Sequence, residues 1–220
     1  AACVAVLVAW PFVGLAAVPL GLALVFKKTG NNSSFVWHTF CLALKGVAAL
    51  ALVAVPLLVV DSHFYGRPVL APWQIVLYNV INQPEGGSAL YGVEPWYFYV
   101  LNGVLNFNGA FLLALASAAV FAVALAAARK EERRYLASGS FWACAGAFYL
   151  WVGFMSLQAH KEERFIFVVY PLLCLLAAAA LDLVTRGLAK LCSIFRPAAA
   201  VLAVAAFAAL SVSRIYAVQS

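Results

Sequence analysis

Residues Leu101 to Arg134 read LNGVLNFNGAFLLALASAAVFAVALAAARKEERR, and this stretch decides the architecture. Leu101–Ala128 contains no ionisable side chain, and Arg129-Lys130-Glu131-Glu132-Arg133-Arg134 follows at once. A helix rises about 1.5 Å per residue and crosses the roughly 30 Å hydrocarbon core of a bilayer in about 20 residues. Leu101–Ala128 therefore predicts a membrane-crossing helix, and the charged block marks the aqueous face where it emerges.

The rest of the chain repeats the pattern. Of its 220 residues, 66% are apolar and 10% are charged, and the mean hydropathy is +0.99. A soluble domain carries about 25% charged residues, and one of this length could not hide so much apolar surface in a single core. Five further stretches are long enough to span or nearly so: Ala2–Phe26, bent at Pro11 and Pro19, then His38–Val60, Leu136–Gln158, Phe165–Val184 and the shorter Pro197–Val212. The expected fold is an all-α membrane protein of about six transmembrane helices. Residues 1–220 form a single polytopic membrane domain in this reading. The chain opens on Ala1 inside an apolar run and stops at Ser220, so it is expected to be a fragment lacking N-terminal and C-terminal parts of a longer protein. In Leu136–Gln158, Gly139, Gly146 and Gly153 recur at heptad spacing. They predict close approach of another helix on one face, unless the spacing is chance in a glycine-rich span.

The net charge of +6 does not point to nucleic acid, because the basic residues sit in short clusters between apolar runs. With six crossings, one side receives Lys27, Lys28, Arg129, Lys130, Arg133, Arg134, Arg186, Lys190 and Arg196. The other receives Arg67, Lys161, Arg164 and Arg214, while Lys45 lies within a span near its basic end. The positive-inside bias puts the RKEERR loop in the cytosol. Asp61–Val100 and His160–Arg164 then share the opposite face and are expected to approach each other. Asn31-Asn32-Ser33-Ser34 holds two overlapping glycosylation sequons on the cytosolic side of this scheme, so both asparagines are expected to be bare. Cys3, Cys41, Cys144, Cys174 and Cys192 occur singly, without metal spacing, and read as packing residues.

Two segments carry the polar chemistry. Asp61–Val100 holds Pro68, Pro72, Pro84, Pro95 and the turn-forming Glu85-Gly86-Gly87-Ser88. Between these lie Trp73–Tyr78 and Trp96–Tyr99, too short to span and rich in headgroup-seeking aromatics, which predict two interfacial helices or re-entrant pieces. Such aromatics form either a ligand-free belt or a groove for an amphipathic substrate such as a lipid-linked sugar, with Tyr65, Arg67, Trp96 and Tyr97 as its candidate lining. The second segment is His160-Lys161-Glu162-Glu163-Arg164-Phe165, five ionisable residues between two spans. They make either a solvated, self-compensating turn or an anion site. If the turn is helical, Lys161 and Arg164 share a face and can hold a lipid phosphate, Arg by a bidentate fork and Lys as a point charge. His160, Lys161 and Arg164 are the phosphate-binding candidates, with Glu162 and Glu163 supporting. No H-E-x-x-H helix, Walker loop, GxGxxG or GxSxG occurs. His38 and His63 fall on opposite sides, so the histidines cannot converge on one metal, and neither a metal nor a cofactor is expected.

The run HKEERFIFVVYPLLCLL (His160–Leu176) resembles the signature of the mannosyltransferases that use dolichyl-phosphate mannose as donor, membrane-embedded C-type glycosyltransferases of the endoplasmic reticulum. The segments DSHFYGRPVLAPWQIVLYNV and LYGVEPWYFYVLNGVLNFN resemble the branch that makes α-1,2 linkages on the lipid-linked N-glycan precursor. One departure is Val168, where the family often carries a proline. The resemblance implies transfer of mannose from dolichyl-phosphate mannose to a dolichol-diphosphate-linked oligosaccharide on the luminal face of the endoplasmic reticulum membrane, with inversion. Its partners are then the lipid-linked donor, the lipid-linked acceptor and the membrane. It places the catalytic carboxylate in a luminal loop before Ala1, so the 220 residues alone are expected to insert but not to transfer sugar. Asp61 and Glu94 are the candidates should a base lie within them. Sister enzymes making α-1,6 linkages or glycolipid anchors share mainly the HKEERF part. A transporter or scramblase also uses broken helices and charges at membrane depth, although no inverted repeat is found across the six stretches, and a non-catalytic scaffold is a further alternative.

Overall fold

A computed structural model describes residues 5–26, 32–81, 87–189 and 195–219. Asn31, Lys27, Lys28, Lys190, Cys3, Cys192 and the Glu85-Gly86 half of the expected turn lie outside them. The described residues are helical with no strand, as a chain crossing lipid requires, because a helix satisfies its own backbone polar groups. Among the described residues, four helices are long and apolar enough to cross a membrane: Phe35–Tyr65, Gly109–Ala127, Gly139–Leu157 and Glu163–Ala189. Shorter apolar helices cover Val13–Val25, Phe98–Phe107 and Val201–Ala217. Helix covers most of the described residues of all six expected stretches, and four of the six reach spanning length. The residues group into two compact units, 1–96 with 153–162 and 97–152 with 163–220.

The first unit holds α1 (Val13–Phe26), α2 (Asn32–Tyr65) and α3 (Ala71–Val76). A wide helical turn at Ala5–Ala9 precedes α1, and the break between them falls at Pro11, which has no N–H to donate. Pro19 is accommodated inside α1. α2 runs further than expected, through Asp61 to Tyr65, because its first glycine stop is Gly66 at φ 64°. The chain then reverses. Ser62 Oγ accepts from Val69 N (3.2 Å), and Asp61 Oδ2 accepts from Ala71 N (2.8 Å), satisfying an amide that the first turn of α3 leaves unpaired. Trp73–Tyr78 is helical as expected, α3 passing into a wide turn at Leu77–Ile81, and Ser88–Tyr91 forms a short tight helix.

The second unit holds α4 (Phe98–Phe107), α5 (Gly109–Ala127), α6 (Lys130–Leu136), most of α7 (Gly139–Leu157), a tight helix at Glu163–Val169, α8 (Tyr170–Ala189) and α9 (Phe195–Gln219). Leu101–Ala128 is therefore two helices, not one. They break at Asn108, whose φ of 50° suits asparagine better than most residues. α5 buries Phe111, Ala114, Ser117 and Phe121, a helical stripe, and α8 buries Leu173, Leu176, Ala177 and Ala180. Lipid tails are as apolar as leucine, so packing and polar contacts, not water exclusion, must hold such helices together. Tyr149 of α7 supplies one such contact. Its hydroxyl donates to the carbonyls of Ala114 (3.1 Å) and Leu115 (3.0 Å), accepts from Ala118 N (3.1 Å) and lies 3.1 Å from Ser117 Oγ. A cavity of about 700 Å³ opens among the C-terminal turns of α5, α6 and the C-terminal half of α8, lined by Val123, Ala127, Glu132, Leu136, Val184 and Arg186. The basic ends of α5 and α8 therefore lie together, as the charge alternation requires.

The glycine reading needs correction. Among the described residues, a Cβ at Gly139 or Gly153 would meet nothing within 4 Å, so the expected close approach is not seen at these two positions. Close approach occurs at Gly103 of α4, where a Cβ would sit 2.5 Å from the ring of Phe111, itself buried. The two helices meet at an angle set by their break, and only a missing side chain lets the ring in. Cysteine packing is also only partly right: Cys41 and Cys144 are half-buried, whereas Cys174 is exposed.

Gly103→Ala should destabilise the full-length protein by about 1–3 kcal/mol through overpacking, lowering its melting temperature in detergent, while Gly153→Ala leaves it unchanged.

Candidate functional site

In the first unit, α7 ends and the chain turns at His160. The last carbonyls of a helix lack intrahelical donors, and cations are favoured beside them. Lys161 supplies one. Its Nζ donates to the Gln158 carbonyl at the end of α7 and to the Glu94 carbonyl (2.7 Å), and the residue is 5% exposed. Glu94 N donates in turn to Ala159 O (3.1 Å). His160 Nδ1 lies 3.1 Å from the Gly92 carbonyl and Nε2 lies 3.0 Å from Glu162 Oε1, so both ring nitrogens face acceptors. The Tyr91 ring packs 6.0 Å from the His160 ring. The expected approach of the two polar segments is thus seen at Gly92–Glu94 against Ala159–Lys161. Burial pushes the Lys161 ammonium below its ordinary value of 10.5, with the Glu94 charge opposing that shift.

The turn is not helical at His160–Glu162, and regular helix resumes only at Glu163. Lys161 therefore does not sit one helical turn from Arg164. Its ammonium is committed to backbone carbonyls.

The remaining motif residues belong to the second unit. Glu163 Oε1 accepts from Asn102 Nδ2 (2.6 Å). Exposed Arg164 stacks over the ring of Phe165, its Cζ 5.9 Å from the centroid. Trp151 Nε1 donates to the Phe165 carbonyl (2.8 Å) from a buried position, fixing the backbone that follows the motif. The Tyr170 ring lies edge-on to Phe107 at 4.5 Å and beside Phe167 at 5.0 Å, which holds the start of α8 against the end of α4.

The other candidates are placed as follows. Asp61 caps α3 through one oxygen, as described above. Tyr65 and Arg67 are exposed at the end of α2 and just beyond it, and their side chains make no hydrogen bond, ion pair or ring contact among the described residues. Trp96 and Tyr97 are exposed, the former closing the first unit and the latter opening the second. The carboxylate of Glu94 is exposed, whereas its main chain holds the turn.

Sequence reasoning missed Asn102, Asn106 and, as a site residue, Arg214. Asn106 Nδ2 donates to Asn102 Oδ1, and Arg214 Nη2 donates to Asn106 Oδ1 (2.7 Å). A signal was present: Asn102 and Asn106 are four residues apart in an apolar run, hence on one helix face.

Residues 1–220 match the Alg9-like mannosyltransferase family, and the chain belongs to that family. It is 41% identical over 175 residues to the alpha-1,2-mannosyltransferase ALG9 of Mus musculus, covering 79% of this chain and 26% of that protein. It is 34% identical over 172 residues to the enzyme of the same name from Saccharomyces cerevisiae, covering 78% and 27%. It is 35% identical over 161 residues to the GPI mannosyltransferase 3 of Trypanosoma brucei brucei, covering 72% and 27%. The chain thus spans about a quarter of the length of these relatives. No solved structure matches it.

Lys161→Met should leave two carbonyls without their donor and lower stability by about 1–3 kcal/mol. Because the folded pKa lies below the unfolded one, wild-type stability should rise as pH climbs through the folded value toward 10.5. Thermal unfolding across alkaline pH should show that slope in the wild type and lose it in Lys161→Met.

Proposed function

We propose that the protein to which these residues belong is an inverting α-1,2-mannosyltransferase of the endoplasmic reticulum membrane. It moves mannose from dolichyl-phosphate mannose to a dolichol-diphosphate-linked oligosaccharide on the luminal face during N-glycan precursor synthesis. The observation that carries this reading is the whole-length family match, with two ALG9 relatives covering 78–79% of the chain. The sister reading, a glycolipid-anchor mannosyltransferase, has support in the Trypanosoma relative, over a smaller share of the chain.

In the proposed reaction an acceptor mannose hydroxyl attacks C1 of the donor mannose from the face opposite the phosphate. The new C1–O bond forms as the C1–O(phosphate) bond breaks, the electron pair leaves on the phosphate oxygen, and a β-linked donor yields an α product. The hydroxyl proton passes to a carboxylate. Asp61 and Glu94 are the acids of this chain's own candidate segment that could take that role. Charge develops on the departing phosphate, and Arg164 is the residue suited to receive it. It is exposed, it directly precedes a residue whose carbonyl Trp151 holds, and its planar fork matches two phosphate oxygens at once. His160 and Lys161 contribute by shaping the turn, Lys161 through the carbonyls it binds. Glu162 and Glu163 support it by holding His160 and Asn102.

Arg164→Lys in the full-length protein should lower kcat/KM for dolichyl-phosphate mannose by roughly tenfold, while membrane insertion and thermal stability stay at wild-type levels. Microsomes from cells lacking the native enzyme provide the assay. Wild-type kinetics in that variant would reduce the motif to a solvated turn.

A further inference from the structure

Arg214 lies near the end of α9, half-buried in a helix that is otherwise almost wholly apolar. A guanidinium at such a place is costly unless it is paired or wet, and ionisable residues there mark function by default. Its one hydrogen bond is to Asn106 Oδ1, and no carboxylate lies within ion-pair distance among the described residues. Of its five N–H donors, most remain for another acceptor.

The position is built, not incidental. Arg214 donates to Asn106, Asn106 donates to Asn102, and Asn102, which is buried, donates to Glu163. An arginine can only donate and a carboxylate can only accept, so the two ends fix the orientation of both amides between them. Each link polarises the next in the same direction. One turn earlier on α9, Ser211 Oγ accepts from Asn108 Nδ2 (3.4 Å), so the same face of α9 meets both α4 and the break that follows it. The chain ends on Glu163, the residue before Arg164. Asn102 and Asn106 thus tie a cation on α9 to the motif within a single compact unit.

We propose that Arg214 is a second anion-binding residue of this end of the unit, taking a phosphate borne by a lipid, with Asn102 and Asn106 as its positioning residues. This rests on the transferase reading above for the identity of the lipid. The phosphate is that of the dolichyl-phosphate donor or of the dolichol-diphosphate acceptor, the two sharing the same chemistry.

Two measurements on the full-length protein test it. First, retention of radiolabelled dolichyl phosphate and of dolichyl diphosphate by the purified protein in detergent requires no catalysis. Arg214→Gln should weaken retention of one of them about tenfold, and that one identifies the source. Arg214→Lys should retain part of the affinity, and Asn106→Leu, which leaves the cation but removes its guide, should cost about threefold. Second, the KM for the same lipid substrate should rise in the same order of variants, with kcat changed less. Unchanged retention of both lipids in Arg214→Gln would overturn the proposal. So would a loss confined to phosphatidylinositol, which would assign the phosphate to the surrounding bilayer. Should Arg214→Gln fail to fold, Asn106→Leu and Arg214→Lys carry the test, and wild-type retention in both would overturn it. Retention that falls as expected in a protein without mannose transfer would uphold Arg214 and contradict the transferase reading instead.

Discussion

The ammonium of Lys161 has almost no water to turn to, and the turn around it is arranged by that fact. A buried charge must be hydrogen-bonded, and here the partners are backbone oxygens: the carbonyl that ends α7 and the carbonyl of Glu94. Meeting both at once brings the Gly92–Glu94 strand of chain against Ala159–Lys161. The backbone bond from Glu94 to Ala159 and the His160 contact with Gly92 follow from the same apposition. Burial lowers the lysine's proton affinity, so the contact is held at some cost in charge solvation. Two polar segments far apart in sequence are thereby fixed side by side within one unit.

Elsewhere the problem is the reverse, since apolar helices in lipid gain little from burying more apolar surface. What gives the second unit its order is a small set of specific contacts: the Tyr149 hydroxyl among the backbone groups of α5, the ring of Phe111 over Gly103, and the amide chain from Arg214 to Glu163. Each is a polar or steric match that a slipped or rotated helix would lose. The same unit carries Arg164 and Arg214. Both cations therefore stand on elements whose positions polar contacts dictate.

The helices were largely legible because apolar length and charge clusters report directly on the bilayer. Asp61–Tyr65 was not read as helix because its polar residues look like a loop, whereas the physical stop is Gly66. Asn108 was not read as a break because one asparagine in an apolar run carries little signal without its φ. Gly139 and Gly153 misled, since spacing gives a face but not whether a neighbour occupies it. The motif itself was visible as chemistry, but the direction of Lys161 was not. A lysine beside an arginine invites a phosphate-site reading, and only the open carbonyls of α7 and Glu94 explain why it turns inward. Arg214 was counted as a topogenic charge, because its link to Glu163 runs through residues more than a hundred positions away.

The apposition of Glu94 and Ala159 is the feature from which the site is built. Residues joined by one backbone hydrogen bond have Cα atoms about 5–6 Å apart, within reach of a disulfide. Full-length protein carrying Glu94→Cys and Ala159→Cys, with a protease site placed in the Arg129–Arg134 segment, can be oxidised mildly in microsomes and cleaved. The apposition requires that the two halves stay joined until reduced, and that neither single-cysteine variant behaves so. Halves that separate in the double variant as readily as in the single ones would contradict it.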